Sequence, residues 1–143
     1  MAKNVLVPLD GSEGAEKAFE FALEEFSDAR LTLLHVVDPS SSEMVPVTEG
    51  SIPFDDETRE SIVEKASSFL DEYAQTAEEE GIDVKKEYKV GEPAREIVEY
   101  TEEEGIDHIV MGSHGRRGVT RVLLGSVAED VTRRSPVPVT VVR

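Results

Sequence analysis

The chain has 143 residues, no cysteine, and 31 acidic against 15 basic residues, which gives a formal net charge of −16. The lack of cysteine excludes disulfides and thiolate metal sites, and the surplus of negative charge argues against a nucleic acid partner. No apolar run reaches the roughly 20 residues of a membrane span, and a strand pattern follows Asn4 directly, which leaves no room for a signal peptide. We therefore expect one cytoplasmic domain over residues 1–143, with no membrane partner.

Apolar runs alternate with amphipathic segments along the chain. Residues 5–9 and 31–37 have the pattern of buried strands, and residues 13–26 between them have helical spacing. A loop rich in Ser and Pro, at about residues 38–54, predicts a mobile flap. The remaining predicted elements are a helix from residue 55 or 56 to Gly81, a strand at 82–90, a helix at 93–104, a strand at 107–111, a helix from Ser126 and a strand at 137–142.

This alternation of strands and helices predicts an α/β fold, in which helices cover both faces of a five-stranded parallel sheet. Right-handed crossovers leave few topologies, and of these we expect the Rossmann-like strand order 3-2-1-4-5. Ligands bind such sheets at the carboxyl ends of the strands, where the winding direction reverses. The reversal falls between the first and fourth strands, so the loops at residues 10–12 and 112–118 should meet.

The last third of the chain combines features of an anion-binding site. Glycines at positions 112, 115 and 118 follow an apolar run, and a Gly-Ser pair at 125–126 opens a helix, so backbone amides can approach a phosphate closely. Residues 111–143 hold six arginines and two acidic residues, a local charge of +4. The glycine spacing fits neither a Walker A loop, which requires lysine, nor the dinucleotide fingerprint, which follows the first strand.

Four segments together carry a resemblance to a known family. The glycines fit the pattern Gly-x2-Gly-x9-Gly-Ser, and the chain also contains Val-Pro-Leu-Asp-Gly-Ser at 7–12, Leu-His-Val-Val at 34–37 and Ser-Pro-Val-Pro-Val at 135–139. Over essentially its full length the chain resembles the ATP-binding universal stress proteins. The resemblance implies an adenine nucleotide alpha hydrolase-like fold, a nucleotide-dependent role in stress response, and ATP (or ADP or AMP) as ligand, with Mg²⁺ carried by the phosphates.

The resemblance also implies a nucleotide-binding set. Its members are Pro8, Asp10, Val36, Met111, Gly112, Ser113, Gly115, Arg116, Gly125, Ser126 and Val127. Asp10 would reach the ribose or a phosphate-bound Mg²⁺, the backbone at Val36 would contact adenine, and Met111 would pack near the base. Amides of Gly112, Ser113, Gly115 and Arg116 would surround the phosphates, and Gly125, Ser126 and Val127 would complete the cradle. The set includes no catalytic residue and no metal ligand beyond Asp10.

Other interpretations of these residues stay open. Ser126-Val127-Ala128-Glu129 also fits a capping box, so Ser126 could serve its helix alone, and Asp10 could be only a turn residue. His35 lies in a strand run, where a packed core histidine is the usual interpretation. His108 and His114 have no partners at metal-ligand spacing.

Other functions also stay open. A slow ATP hydrolase or nucleotidyl-transfer enzyme of the same fold is the first alternative. A flavodoxin-like FMN carrier is disfavoured because the chain has no Trp and only three Tyr to stack on a flavin. A response-regulator-like receiver is disfavoured because the last strand contains no lysine.

The last strand and the acidic helix ends give two further hypotheses. The strand at residues 137–142 is an apolar sheet edge, and the resemblance implies a homodimer through this segment (Val137, Pro138, Val139, Thr140, Val141 and Val142). The alternative is a short edge strand shielded by Arg143. Two helices end in Glu triplets, at 78–80 and 102–104, which oppose the helix dipole unless salt screens them, so we also expect a halophilic source.

Overall fold

The computed structural model describes residues 3–39, 56–114 and 124–143, apart from the side chains of residues 56–59 and 62. Its elements in chain order are β1 (Asn4–Pro8), α1 (Glu13–Glu25), β2 (Arg30–Val37), α2 (Asp56–Glu79), β3 (Val84–Val90), α3 (Pro93–Glu103), β4 (His108–Gly112), α4 (Ser126–Arg134) and β5 (Val139–Val142). The five strands form a parallel sheet in the order β3-β2-β1-β4-β5, which confirms the predicted topology. Of the predicted flap, only residues 38 and 39 lie within the described residues.

The central strands are apolar because both of their faces are covered. Val5, Leu6 and Val7 of β1 are all fully buried, as parallel strands between two helical layers require. The edge strand β3 instead alternates between partly buried and exposed positions, and it carries Lys85, Lys86 and Lys89. Lysines on an edge strand discourage pairing with another sheet.

Two helices pack on each face of the sheet. One cluster joins α1 and α2 to alternate residues of β1 and β2, through side chains such as Phe19 and Leu70. The other joins α3 and α4 to the opposite face, through side chains such as Ile97 and Val131. Within the described ranges, none of these helices has the length and apolar character needed to cross a bilayer.

The last strand begins two residues later than the sequence predicted. The Ser135 hydroxyl donates to the Val137 carbonyl at 2.7 Å and accepts from the Val137 amide at 3.1 Å, which holds this segment in a turn. Pro138 has no amide hydrogen to donate, although its carbonyl accepts from the Ile109 amide at 3.0 Å. The regular strand therefore starts at Val139.

The first turn of α1 touches the end of β4 backbone to backbone. A Cβ atom on Gly112 would lie 2.5 Å from the carbonyl carbon of Gly14, and a Cβ on Gly14 would lie 2.7 Å from the carbonyl oxygen of His114. Real Cβ atoms essentially never come this close, so neither position has room for a side chain. Gly112 therefore has a packing role that is independent of any ligand, and Gly14, which the sequence motif omits, shares it.

We expect Gly112→Ala to lower the free energy of unfolding by at least about 3 kcal/mol, the upper part of the overpacking range, because the obstructing atoms are backbone. Gly105→Ala is the matched control. Its Cβ meets nothing within 4 Å, and only its φ of +64° makes the substitution costly, by about 1–2 kcal/mol. Urea denaturation compares the two variants, and equal losses would show that Gly112 is under no steric constraint.

Candidate functional site

A crevice opens at the carboxyl ends of β1, β2 and β4, on the face covered by α3 and α4. It encloses about 570 Å³, its open mouth included. Its lining is mainly apolar, and six residues of the predicted binding set belong to it: Pro8, Asp10, Val36, Met111, Gly112 and Val127. The topology thus brings the loop after β1 and the end of β4 together, as expected at the point where the winding direction reverses.

Three predicted residues lie beside the crevice and not on its lining. Ser113 is 5% exposed; its amide donates to the Val142 carbonyl at 2.9 Å, and its carbonyl accepts from the Gly125 amide at 2.6 Å. The amides of Ser113 and Gly125 are therefore used to join β5, the end of β4 and the start of α4. Ser126 is exposed at the first position of α4. Gly115 and Arg116 lie outside the described residues.

The amino-terminal end of α4 has no side-chain cap. Gly125 is the N-cap residue and has no side chain to offer, and Ser126 already belongs to the helix. The alternative capping box is therefore wrong, because it requires Ser126 at the N-cap and Glu129 three positions later. The first-turn amides of α4, from Ser126 to Ala128, have no intrahelical acceptor. An anion bound at this helix end would accept hydrogen bonds from these amides.

The amino-terminal end of α1 is capped from within the chain. The Ser12 hydroxyl accepts from the Ala15 amide at 3.1 Å, and Asp10 Oδ1 accepts from the Ser12 amide at 2.9 Å. Asp10 thus shapes the turn after β1 and also lines the crevice. The two interpretations of Asp10 are compatible, because the turn uses one of its two carboxylate oxygens.

A third helix end, which sequence reasoning missed, contributes to the crevice. Pro93 and Ile97 of α3 belong to its lining, and the N-cap residue Glu92 makes no side-chain capping bond. The signal was present in the sequence, because a helix that follows a parallel strand starts at the same sheet edge as the other loops. This end carries two acidic residues, Glu92 at the N-cap and Glu96 in the first turn, which offset the positive end of its dipole, whereas the first turn of α4 carries one, Glu129.

The three histidines occupy different environments. The His35 ring contacts the backbone at Leu9, which agrees with the packed role expected for it. His114 lines the crevice, and its Nδ1 lies 3.1 Å from the Ser113 hydroxyl. His108 lies at the opposite end of β4, where its Nε2 meets the Thr140 hydroxyl at 2.7 Å. Burial, with a smaller contribution from the charge of Lys3, lowers the pKa of His108.

The acidic groups near the crevice are not arranged as a metal cage. Across residues 3–39, 56–114 and 124–143, no three His, Cys, Asp or Glu side chains lie together as metal ligands. The negative charge of Asp10 also acts on Tyr73, a residue of α2 on the other face of the sheet. Burial is the main cause of the raised pKa of Tyr73, and the negative charges of Glu16 and Asp10 add to it.

The sequence matches known proteins over its whole length. The model of the universal stress protein family matches residues 1–143. The universal stress protein MJ0577 of Methanocaldococcus jannaschii is 34% identical over 155 aligned residues, which cover 100% of this chain and 96% of that protein.

Solved structures match the fold equally widely. The structure of MJ0577 superposes with a TM-score of 0.81 at 38% identity, over 99% of this chain and 96% of that one. A universal stress protein in complex with cAMP superposes with a TM-score of 0.70 at 25% identity, over 99% and 96% of the two chains. A family member from Arabidopsis thaliana with AMP bound shares the fold, with a TM-score of 0.67 at 21% identity over 98% and 90%.

Proposed function

This chain belongs to the universal stress protein family, and from that premise we propose that it is a cytoplasmic, single-domain protein that binds ATP, or ADP or AMP, as part of a stress response. The observation that carries the proposal is the uncapped start of α4 beside an apolar crevice. Backbone amides at a helix start bind phosphate, and apolar walls hold a base. The family member solved with cAMP supports an adenine nucleotide as the ligand class.

The two helix ends at the crevice suggest how the nucleotide is oriented. Neither start has a side-chain cap, and each first turn holds one glutamate, Glu96 in α3 and Glu129 in α4. The start of α3 adds the charge of Glu92 and loses one amide donor at Pro93, whereas the charge of Glu129 is paired with Arg133 at 2.6 Å. The phosphates therefore belong at α4, next to Gly125, Ser126 and Val127. The base belongs at the apolar wall formed by Val36 and Ile97, where Met111 also lines the crevice.

Asp10 and the glycine loop complete the proposed site. Asp10 Oδ1 accepts from the Ser12 amide, so Oδ2 is the oxygen available for a ribose hydroxyl or for Mg²⁺ held on the phosphates. Carboxylate oxygens together with substrate phosphates are the usual way in which proteins hold Mg²⁺. Gly115 and Arg116, which lie in the part of the chain that the structure does not describe, keep their proposed place around the phosphates.

Slow ATP hydrolysis is the alternative function. Asp10 and His114 both line the crevice, so a carboxylate and an imidazole are within the same site as the proposed phosphates. With ATP in excess, an enzyme would release many phosphate ions per protein molecule, whereas a protein that only binds ATP would release none.

We expect Ser126→Glu to raise the Kd for ATP at least tenfold. A carboxylate roughly 6 Å from a phosphate repels it by about 2–3 kcal/mol near a protein surface. The melting temperature without ligand should not fall, because Ser126 is exposed and an acidic residue in the first turn favours the helix. Isothermal titration with ATP, ADP and AMP measures the effect.

Thr132→Glu is the control for this experiment. It adds the same charge at an exposed position of α4, about 9 Å farther along the helix and beyond the roughly 8 Å screening length. ATP affinity should stay within about twofold of wild type. If wild-type protein releases no adenine nucleotide on denaturation and none of the three nucleotides raises its melting temperature, the proposed function is wrong.

We also propose a homodimer through β5, the edge strand next to β4. The carbonyls of Pro138 and Val142 accept from Ile109 and Ser113. Backbone groups of alternate strand residues point to opposite sides, so those of Val139 and Val141 point away from β4. Antiparallel pairing of two β5 strands would satisfy them symmetrically.

We expect Val141→Pro to convert the dimer into a monomer. Proline removes one outward amide without disturbing the bonds to β4, and an edge strand tolerates it. Light scattering after gel filtration should show the 15.7 kDa monomer mass for this variant and twice that mass for wild type. Val141→Thr, which keeps the amide, should remain dimeric, and a monomeric wild type would refute the proposed interface.

A halophilic origin is the third proposal, and three helix ends support it. The last turns of α1, α2 and α3 contain no basic residue, and α2 and α3 run into the Glu triplets at 78–80 and 102–104. Each such charge costs about 0.3–1 kcal/mol in dilute buffer, and concentrated salt screens that cost.

We expect the melting temperature to rise by roughly 5 °C or more between 0.1 and 2 M KCl, because several unfavourable helix-end charges are screened together. The variant with Glu79→Lys and Glu103→Lys, which places favourable charges at two helix ends, should show a smaller rise. Differential scanning calorimetry of both proteins measures the difference. A wild-type melting temperature that stays constant over this range would contradict a halophilic adaptation.

A further inference from the structure

Leu9 is the first residue after β1, and both its backbone amide and its backbone carbonyl are hydrogen-bonded to β2. The Leu9 amide donates to the Leu34 carbonyl at 2.8 Å, and the Leu9 carbonyl lies 2.8 Å from His35 Nδ1. A carbonyl oxygen can only accept, so Nδ1 carries a proton and donates. The His35 side chain thus adds one further bond between the two strands, just where the backbone ladder ends at Pro8.

The His35 ring is held on its other side by α2. Its centroid lies 4.8 Å from that of Phe69, and the Phe69 ring in turn packs against Tyr73 at 5.4 Å. The edge of Phe69 also comes within 3.7 Å of the Cβ position of Gly11. The Phe69 ring, with Tyr73 behind it, therefore packs against the turn after β1 and against the His35 ring. This packing holds the Nδ1–H group of His35 in its orientation toward the Leu9 carbonyl.

Asp10 depends on this bond because the Leu9 carbonyl and the Asp10 amide share one peptide plane. A rotation of that plane would move the Asp10 Cα, and with it the carboxylate that lines the crevice. Val36, the next residue after His35, lines the same crevice from the opposite face of β2. The hydrogen-bond donor of His35 therefore acts from the face of β2 opposite the crevice, and His35 does not line the crevice itself.

We propose that His35 is a positioning residue for nucleotide binding, which orients Asp10 through the hydrogen bond from its Nδ1 to the Leu9 carbonyl. The inference rests on the proposed nucleotide site and deepens it. It differs from a packing role for His35, because packing requires only the ring whereas positioning requires the donor.

Three substitutions separate the effect of the Nδ1 hydrogen-bond donor of His35 from the effect of its aromatic ring. His35→Asn places an amide nitrogen where Nδ1 lies, His35→Gln places it one bond farther away, and His35→Phe keeps the ring without any donor. We expect the Kd for ATP, measured with MgCl₂ present, to rise roughly fivefold to tenfold in the Gln and Phe variants, the usual effect of one lost hydrogen bond. The Asn variant should remain within about twofold of wild type.

Combination with Asp10→Asn tests whether His35 acts through Asp10. The asparagine keeps an oxygen to accept from the Ser12 amide, so the turn is retained while the charge is removed. If His35 orients Asp10, the double variant with His35→Gln should bind no more than about twofold more weakly than Asp10→Asn alone. If the losses of ATP affinity caused by the two single substitutions multiply in the double variant, His35 acts independently of Asp10 and the proposal is overturned.

The remaining outcomes are equally decisive. Wild-type affinity in the Gln and Phe variants, or losses in the Asn variant equal to those in the Phe variant, would overturn the positioning role while leaving the nucleotide site intact. Failure of the wild-type protein to bind ATP would remove the proposed function, and the role of His35 with it. Should the Phe variant not fold, the comparison of Asn with Gln decides the question, since both are polar and differ only in the reach of the amide.

Discussion

The contact between the first turn of α1 and the end of β4 is the constraint on which the crevice depends. Gly14 and Gly112 meet there backbone to backbone, with no room for a Cβ on either. A side chain at this point would push α1 away from β4, and the Asp10 turn at the start of α1 would move with it. The first glycine of the Gly-x2-Gly-x9-Gly-Ser pattern is therefore explained by packing before any phosphate is considered.

The fold could be predicted from the sequence because its signals are local and repeated. Mainly apolar runs at β1, β2 and β4 indicate strands covered on both faces, and right-handed connections leave few orders for them. The strand order is confirmed, and Asp10 and Gly112 line one crevice, as that order requires. The start of β5 was misplaced because an apolar run does not reveal a turn, and here the Ser135 hydroxyl forms one with Val137.

The site was harder to predict because its contacts are between backbone groups. A glycine pattern shows where amides can approach a ligand, but not which of them the sheet already uses. The Ser113 amide is bonded to Val142 and the Gly125 amide to Ser113. The Ser-x-x-Glu pattern indicated a cap at Ser126, yet the helix begins one residue earlier than that pattern requires. The contribution of α3 was missed because Pro93 and Ile97 belong to no phosphate motif and reach the crevice only through the topology.

The bond between the Gly125 amide and the Ser113 carbonyl, 2.6 Å long, ties the start of α4 to the end of β4. The amide of the same serine donates to the Val142 carbonyl, so one residue joins β4, β5 and the N-cap of α4. Sites built on helices and strands are held more precisely than sites built on loops, and the first-turn amides of α4 therefore have their orientation set by the sheet before a ligand arrives. On its α4 side the crevice is preorganised, so little binding free energy is lost in ordering that helix end.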